Sequence, residues 1–186
     1  TDRRMASGQE PCDAAKDAMT TPIQKPGHSK QDYRTPVVFL DAVKRLLNID
    51  EFVMDLAANA TNTAASGWYG ERENALAEDW NWLHEHDGWA WLNPPYADIK
   101  PWVEKASLSR ANIAMLIPAS VGANWWKTWV HRRARVLFLN GRLAFMPDKP
   151  TWLYPKDCAL LLYGPRAATY RELAPQEDYD IWTWRS

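Results

Sequence analysis

The sequence predicts an α/β fold, a mostly parallel sheet with helices on both faces that binds its ligands beyond the C-terminal ends of the strands. Three observations carry this prediction. Apolar runs of strand length alternate with stretches in which apolar residues recur at helical spacing, and polar, proline-containing loops separate them. One of those loops, Asn93-Pro94-Pro95-Tyr96, follows directly on an apolar run and leads into a helical pattern, the place where such a sheet carries its site.

Residues 1–30 mix small and polar residues with Pro11, Pro22, Pro26 and Gly27 and show no periodicity, which predicts a flexible arm ahead of one folded domain over residues 31–186. Thr35 and Pro36 read as the N-cap and first position of a helix. Its apolar face is Phe39, Leu40, Val43, Leu46 and Leu47, and Asn48 is its stop. The run from Phe52 to Ala57 is apolar apart from Asp55, the pattern of a buried strand with a carboxylate near its C-terminal tip. Further strand-length runs lie at 90–92, 113–117, 135–139 and 159–163. Ile99, Trp102, Val103 and Ala106 mark one intervening helix, and Trp125, Trp126, Trp129 and Val130 the apolar face of another. Residues 179–184 alternate like an edge strand, with Trp182 and Trp184 expected to pack on the core.

Composition narrows the class. No apolar run reaches the roughly 20 residues that cross a bilayer, so no membrane span is expected. The N-terminal residues lack the apolar core of a signal peptide, and Cys12 and Cys158 stand far apart without metal-ligand spacing, which predicts a reduced, cytoplasmic protein. His84-Glu85-His86 has no third ligand at suitable spacing, so no metal is expected. A net charge of -1 argues against binding nucleic acid by overall charge, yet the charges are segregated. Residues 124–142 carry Lys127, Arg132, Arg133, Arg135 and Arg142 without an acid, whereas residues 71–87 carry six acids against Arg72 alone.

The Asn93-Pro94-Pro95-Tyr96 string suits a particular chemical problem. Prolines fix φ and lack an N–H, and Pro94 pushes Asn93 into an extended conformation, so the loop is stiff and rich in acceptors. An adenine amino group is a weak nucleophile that presents two N–H donors. The Asn93 side-chain carbonyl and a main-chain carbonyl of the proline pair can each accept one, drawing the nitrogen toward tetrahedral geometry as charge develops. Tyr96 can stack on a base turned out of its duplex, worth about 1–3 kcal/mol against a flipping cost of a few. An isolated Pro-Pro pair is usually only a turn; the strand before this one and the helix after it favour the catalytic reading.

Three separated motifs resemble the Dam-like family of phage and prophage DNA N6-adenine methyltransferases over about residues 31 to 165. They are Asp32-Tyr33-Arg34-Thr35-Pro36, the segment Asp55-Leu56-Ala57-Ala58-Asn59-Ala60-Thr61-Asn62, and Asn93-Pro94-Pro95-Tyr96, in the family's order and spacing. The resemblance implies a Rossmann-like fold that binds S-adenosyl-L-methionine and double-stranded DNA. It places Asp55, Ala57, Ala58 and Asn62 along the cofactor, and Tyr33, Arg34, Thr35 and Pro36 over its methionine end. The acids that would hold ribose and adenine look like Glu73 and Asp79. No glycine-rich loop follows the first strand, so Ala57, Ala58 and Ala60 would supply the close approach.

For DNA, the tryptophan-lined helix would turn Lys127, His131 and Arg132 to solvent, where they can meet phosphates. Residues 142–156, irregular, basic and aromatic, are the candidate recognition insertion, with Arg142, Lys149, Trp152, Tyr154 and Lys156. Two other readings stand beside this one. The same fold could methylate RNA or protein amide nitrogens, or it could be a noncatalytic tryptophan-rich DNA-binding module, either as a monomer or a weak dimer.

Overall fold

In the computed structural model, which describes residues 34–70, 72–145, 153–169 and 180–183, a six-stranded sheet separates two apolar layers. The arm at 1–30, and with it Tyr33, Lys149, Trp152 and Trp184, lies outside the described residues.

Helix α1, Val37–Leu47, buries Phe39, Leu40, Val43 and Leu47, while Leu46 is partly buried. It stops at Asn48 as predicted: φ of 54° puts that residue in the left-handed region, and its N–H reaches back to the carbonyls of Lys44 and Arg45. Its start differs from the expectation. Pro36, not Thr35, occupies the N-cap, and no side chain caps the first turn. The Thr35 hydroxyl is instead engaged by Asn93, 58 residues further on.

The strands are β1 (Met54–Asp55), β2 (Ala90–Leu92), β3 (Ile113–Pro118), β4 (Arg135–Asn140), β5 (Cys158–Tyr163) and β6 (Asp180–Thr183), in the order β1-β2-β3-β5-β4-β6. Only β1 with β2 and β2 with β3 pair in parallel; β3 with β5, β5 with β4 and β4 with β6 are antiparallel. The expectation of a mostly parallel sheet is therefore corrected to a mixed one, parallel at the edge that carries the site. A fully buried apolar run reads the same in either direction, so strand polarity was not encoded locally. β6 is an edge strand, as its alternation predicted. β1 is shorter than the predicted run from Phe52 to Ala57. Its outer side is taken by a second chain segment through single parallel bridges, Phe52 to Ala65 and Asp55 to Trp68.

Side chains alternate between the two faces, as the pleat requires. Trp91, Leu116 and Leu160 join Phe39 and Val43 of α1 on one side. Met115, Leu161 and Ile113 join Val103 of helix α2 (Lys100–Leu108) and Trp126 of helix α3 (Asn124–Trp129) on the other. Helices thus cover both faces, and each fully buried large apolar side chain contributes about 1.5–3 kcal/mol. Trp126 is buried and stacks on Phe138 with centroids 6.2 Å apart; Trp125 and Trp129 are only half-buried. After β5 the chain turns at Gly164 (φ 92°), where a Cβ would stand 2.4 Å from the Ala111 carbonyl oxygen, and enters helix α4, Pro165–Thr169. Among the described residues no helix is long and apolar enough to cross a membrane.

Candidate active site

Two parallel strand tips frame the site. Asp55, the last residue of β1, pairs with Trp91 of β2, and Asn93 follows β2 directly. The Asp55 carboxylate is 2% exposed. Its oxygens accept the N–H groups of Ala64 at 2.8 Å and Ala57 at 3.2 Å, so it ties both ends of the following loop to the strand. Within that loop Asn59 Oδ1 accepts from the Thr61 N–H at 2.9 Å and its hydroxyl at 2.7 Å, and Asn62 Oδ1 accepts from the Asn59 N–H at 2.7 Å. Short amide side chains fold the turn onto itself, which explains how a loop without glycine holds its shape.

Burial pushes the Asp55 carboxyl up to about 6, against the lowering effect of the Ala64 and Ala57 N–H groups. A carboxyl whose pKa rises on folding contributes stability below its unfolded value, lost as pH climbs through the folded one. Between pH 3.8 and about 6 the protein should therefore lose about 2 kcal/mol relative to Asp55→Asn. Urea unfolding of both proteins across that window measures this, and parallel stability curves would reject it. Asp55→Asn also sets an NH₂ against one of the two backbone N–H groups, loosening the loop.

The proline corner sits on the second tip. Pro94 is buried and Pro95 half-buried. Asn93 Nδ2 donates to Thr35 Oγ1 at 3.1 Å, and the Tyr96 hydroxyl donates to Asn93 Oδ1 at 2.8 Å. The Tyr96 ring rests against Tyr154 (5.7 Å) and Phe145 (6.3 Å), and burial holds its hydroxyl well above the usual phenol range.

Asn93 and Pro95 line a cavity of about 980 Å³. Facing them on its wall are Ala57, Ala58, Ala60 and Asn62 of the loop after β1, together with Glu73. Glu73 Oε2 accepts the Gly70 N–H at 2.9 Å. The segment bearing Glu73 is stapled to α2: Lys105 donates to the carbonyls of Leu76 and Glu78 and lies 5.0 Å over the Trp80 ring, while Trp80 Nε1 donates to the Ala75 carbonyl at 2.9 Å. Burial lowers the Lys105 ammonium from its ordinary value.

Among the described residues, the other predicted cofactor residues are not on the wall of this cavity. Asp55 and Thr35 are buried, Pro36 is half-buried and Arg34 is exposed, and none of the four is on its wall. Asp79 is exposed and accepts the Asn81 N–H at 2.9 Å at the head of the 3₁₀ turn Asn81–Glu85. Conversely, Trp68, Tyr69 and Trp102 line the cavity, and sequence reasoning missed the first two as site residues and assigned Trp102 to a helix face alone. An aromatic pair flanked by Gly67 and Gly70 was the available signal.

Of the predicted DNA contacts, Lys127 and Arg132 are exposed, as is His131. Lys156 is exposed, and Arg142 reaches Asp157 at 3.6 Å on the surface. Tyr154, expected among the recognition residues, is instead buried: its N–H donates to the Leu143 carbonyl at 2.8 Å, and its ring meets Phe145 at 5.4 Å. His86, in the string considered for metal, stands edge-on to Trp82 at 5.1 Å.

These features define an α/β protein with a cavity at the C-terminal tips of neighbouring parallel strands and an acceptor-bearing proline corner on its wall. Over residues 23–156 the sequence matches the model of the family described as DNA N-6-adenine-methyltransferase (Dam), and the chain belongs to that family. No curated protein and no solved structure matches it. Its class of activity is accordingly the methylation of adenine N6 in DNA.

Proposed function

We propose that the chain is a site-specific enzyme that transfers a methyl group from S-adenosyl-L-methionine to N6 of an adenine turned out of duplex DNA, on a Rossmann-like fold. The observation that carries this reading is the shared cavity. Asn93 and Pro95 stand on the same wall system as Ala57, Ala58, Ala60 and Glu73, and about 980 Å³ is at the upper end of the range for ligand sites, room for a donor beside a base.

The lining fits such a donor. Three alanines allow close approach, the Glu73 carboxylate suits hydroxyl or ammonium groups, and Trp68, Tyr69 and Trp102 offer apolar surface to an adenine ring. When bound, the donor supplies a methyl group on a positively charged sulfonium. Asn93 Oδ1 and a carbonyl of the proline pair accept the two N–H groups of the base, raising the electron density on N6 as its bond to the methyl carbon forms and the C–S bond breaks, leaving a neutral thioether; the surplus N6 proton passes to water. The backbone of the corner is rigid, so these acceptors need no reorganisation at the moment of transfer. Tyr96 exchanges its hydrogen bond with Asn93 for the face of the base, and its ring then clamps the base by stacking. Asp55, bonded to both ends of the alanine-rich loop, acts by shaping that wall. Lys127 and Arg132 meet phosphates, and Arg142 joins them by exchanging Asp157 for the backbone of the duplex.

Incubating the protein with methyl-labelled S-adenosylmethionine and, in parallel, duplex DNA, RNA and a protein mixture tests the reading. Label should appear in DNA as N6-methyladenine. Label in RNA or protein with none in DNA would overturn the acceptor, and DNA binding without transfer to any of the three would favour a noncatalytic module.

A further inference from the structure

We infer that Thr35 is a positioning residue for the Asn93 amide, its hydroxyl accepting from Nδ2 so that Oδ1 is held toward the base. The inference rests on the proposed role of Asn93 at the adenine amino group and assigns a residue to support it. The amide is flanked by two hydroxyls: Nδ2 donates to Thr35 Oγ1 at 3.1 Å, and the Tyr96 hydroxyl donates to Oδ1 at 2.8 Å. A hydroxyl donates or accepts equally well. With Tyr96 in place the amide can be inverted while both contacts survive, so the order Thr35, Asn93, Tyr96 does not by itself fix which end faces outward.

An exocyclic amino group in the tyrosine's place removes that freedom, because it offers hydrogens to Asn93 and takes none. Oδ1 must then face the base, Nδ2 must face Thr35, and Thr35 must accept. Thr35 is 5% exposed, so its hydroxyl meets the amide away from bulk water, where a lost hydrogen bond is costly. Nor does the helix use the hydroxyl: Thr35 precedes the N-cap Pro36, and the first turn of α1 has no side-chain cap. An amide turned the wrong way would place two N–H donors against the donors of the base. The role is distinct from contact with the methionine end of the donor, which resemblance alone would give this residue.

The test compares the intact chain with Thr35→Val, Thr35→Ala and Thr35→Ser. Three quantities are read: the single-turnover rate of transfer to plasmid DNA from a methylation-deficient host, the affinity for S-adenosylmethionine by calorimetry, and the side-chain amide signals of Asn93 in ¹H–¹⁵N spectra of the free protein. Thr35→Val and Thr35→Ala should lose about 10- to 100-fold in rate while donor affinity holds within about threefold. Their Asn93 amide signals should shift, and Thr35→Ser should restore both rate and signals. Full rate in either hydroxyl-free variant overturns the inference, as does a loss carried by donor affinity or a serine that fails to rescue. If the unaltered chain methylates no DNA, the proposed acceptor fails; unmoved Asn93 signals in the free variants separately refute the Thr35 contact. Should the valine protein not fold, alanine and serine decide the outcome.

Discussion

Asn93→Ala is expected to slow methyl transfer to DNA by about 10²- to 10³-fold, the usual cost of removing one preorganised hydrogen-bonding group at a reacting centre. The effect should fall on the chemical step. Asn93 lines the cavity and is not part of either apolar layer, so the fold loses no core packing when its amide is truncated. Single-turnover rates with saturating S-adenosylmethionine, beside the melting temperature and donor affinity, separate the alternatives. A variant that keeps its rate within about tenfold would remove Asn93 from the chemistry, since a lost transition-state contact is worth more than that. A variant that loses donor affinity instead would make the corner part of the donor site.

Trp91→Ala should destabilise the protein by about 3–5 kcal/mol, a large part of the 5–15 kcal/mol typical of a folded chain. Trp91 is 1% exposed and packs against Phe52 at 5.3 Å and Phe39 at 6.4 Å, so truncation opens a void between α1 and the sheet. It also helps β2 hold β1: it pairs with Asp55, and its carbonyl accepts the Leu56 N–H at 2.9 Å. Urea denaturation should show a lower midpoint with an unchanged slope, and Trp91→Phe should recover most of the loss. A shift of less than about 1 kcal/mol would mean that the layer collapses around the gap, contrary to the usual partial relaxation.

The elements were legible in the sequence where a local pattern decides them. Apolar spacing located α1 and α2, Asn48 marked the end of α1, and four of the apolar runs became β2 to β5 within a residue of the expected limits. Strand direction was not legible, because β5, buried along its whole length, carries no polar face to orient it. The proline corner was visible as a string, and its cavity was not. Trp68 and Tyr69 reach that cavity only because residues 65–69 lie alongside β1, a pairing between segments that no periodicity announces. Thr35 looked like a helix cap since caps are the commonest use of such a residue before an apolar run. Its partner, 58 positions away, was out of reach of local reasoning. Asp79, which the family resemblance places beside the cofactor, is off the cavity wall and its carboxylate accepts from its own turn.

The pairing of Met54 with Ala90 and Asp55 with Trp91 sets a length scale for the whole site. Adjacent strands lie about 4.8 Å apart, a repeat imposed by peptide hydrogen bonding and indifferent to side-chain identity. On the proposed function the distance between donor and base would thus be metered by the backbone, and exchanging residues of the two loops would leave that distance intact.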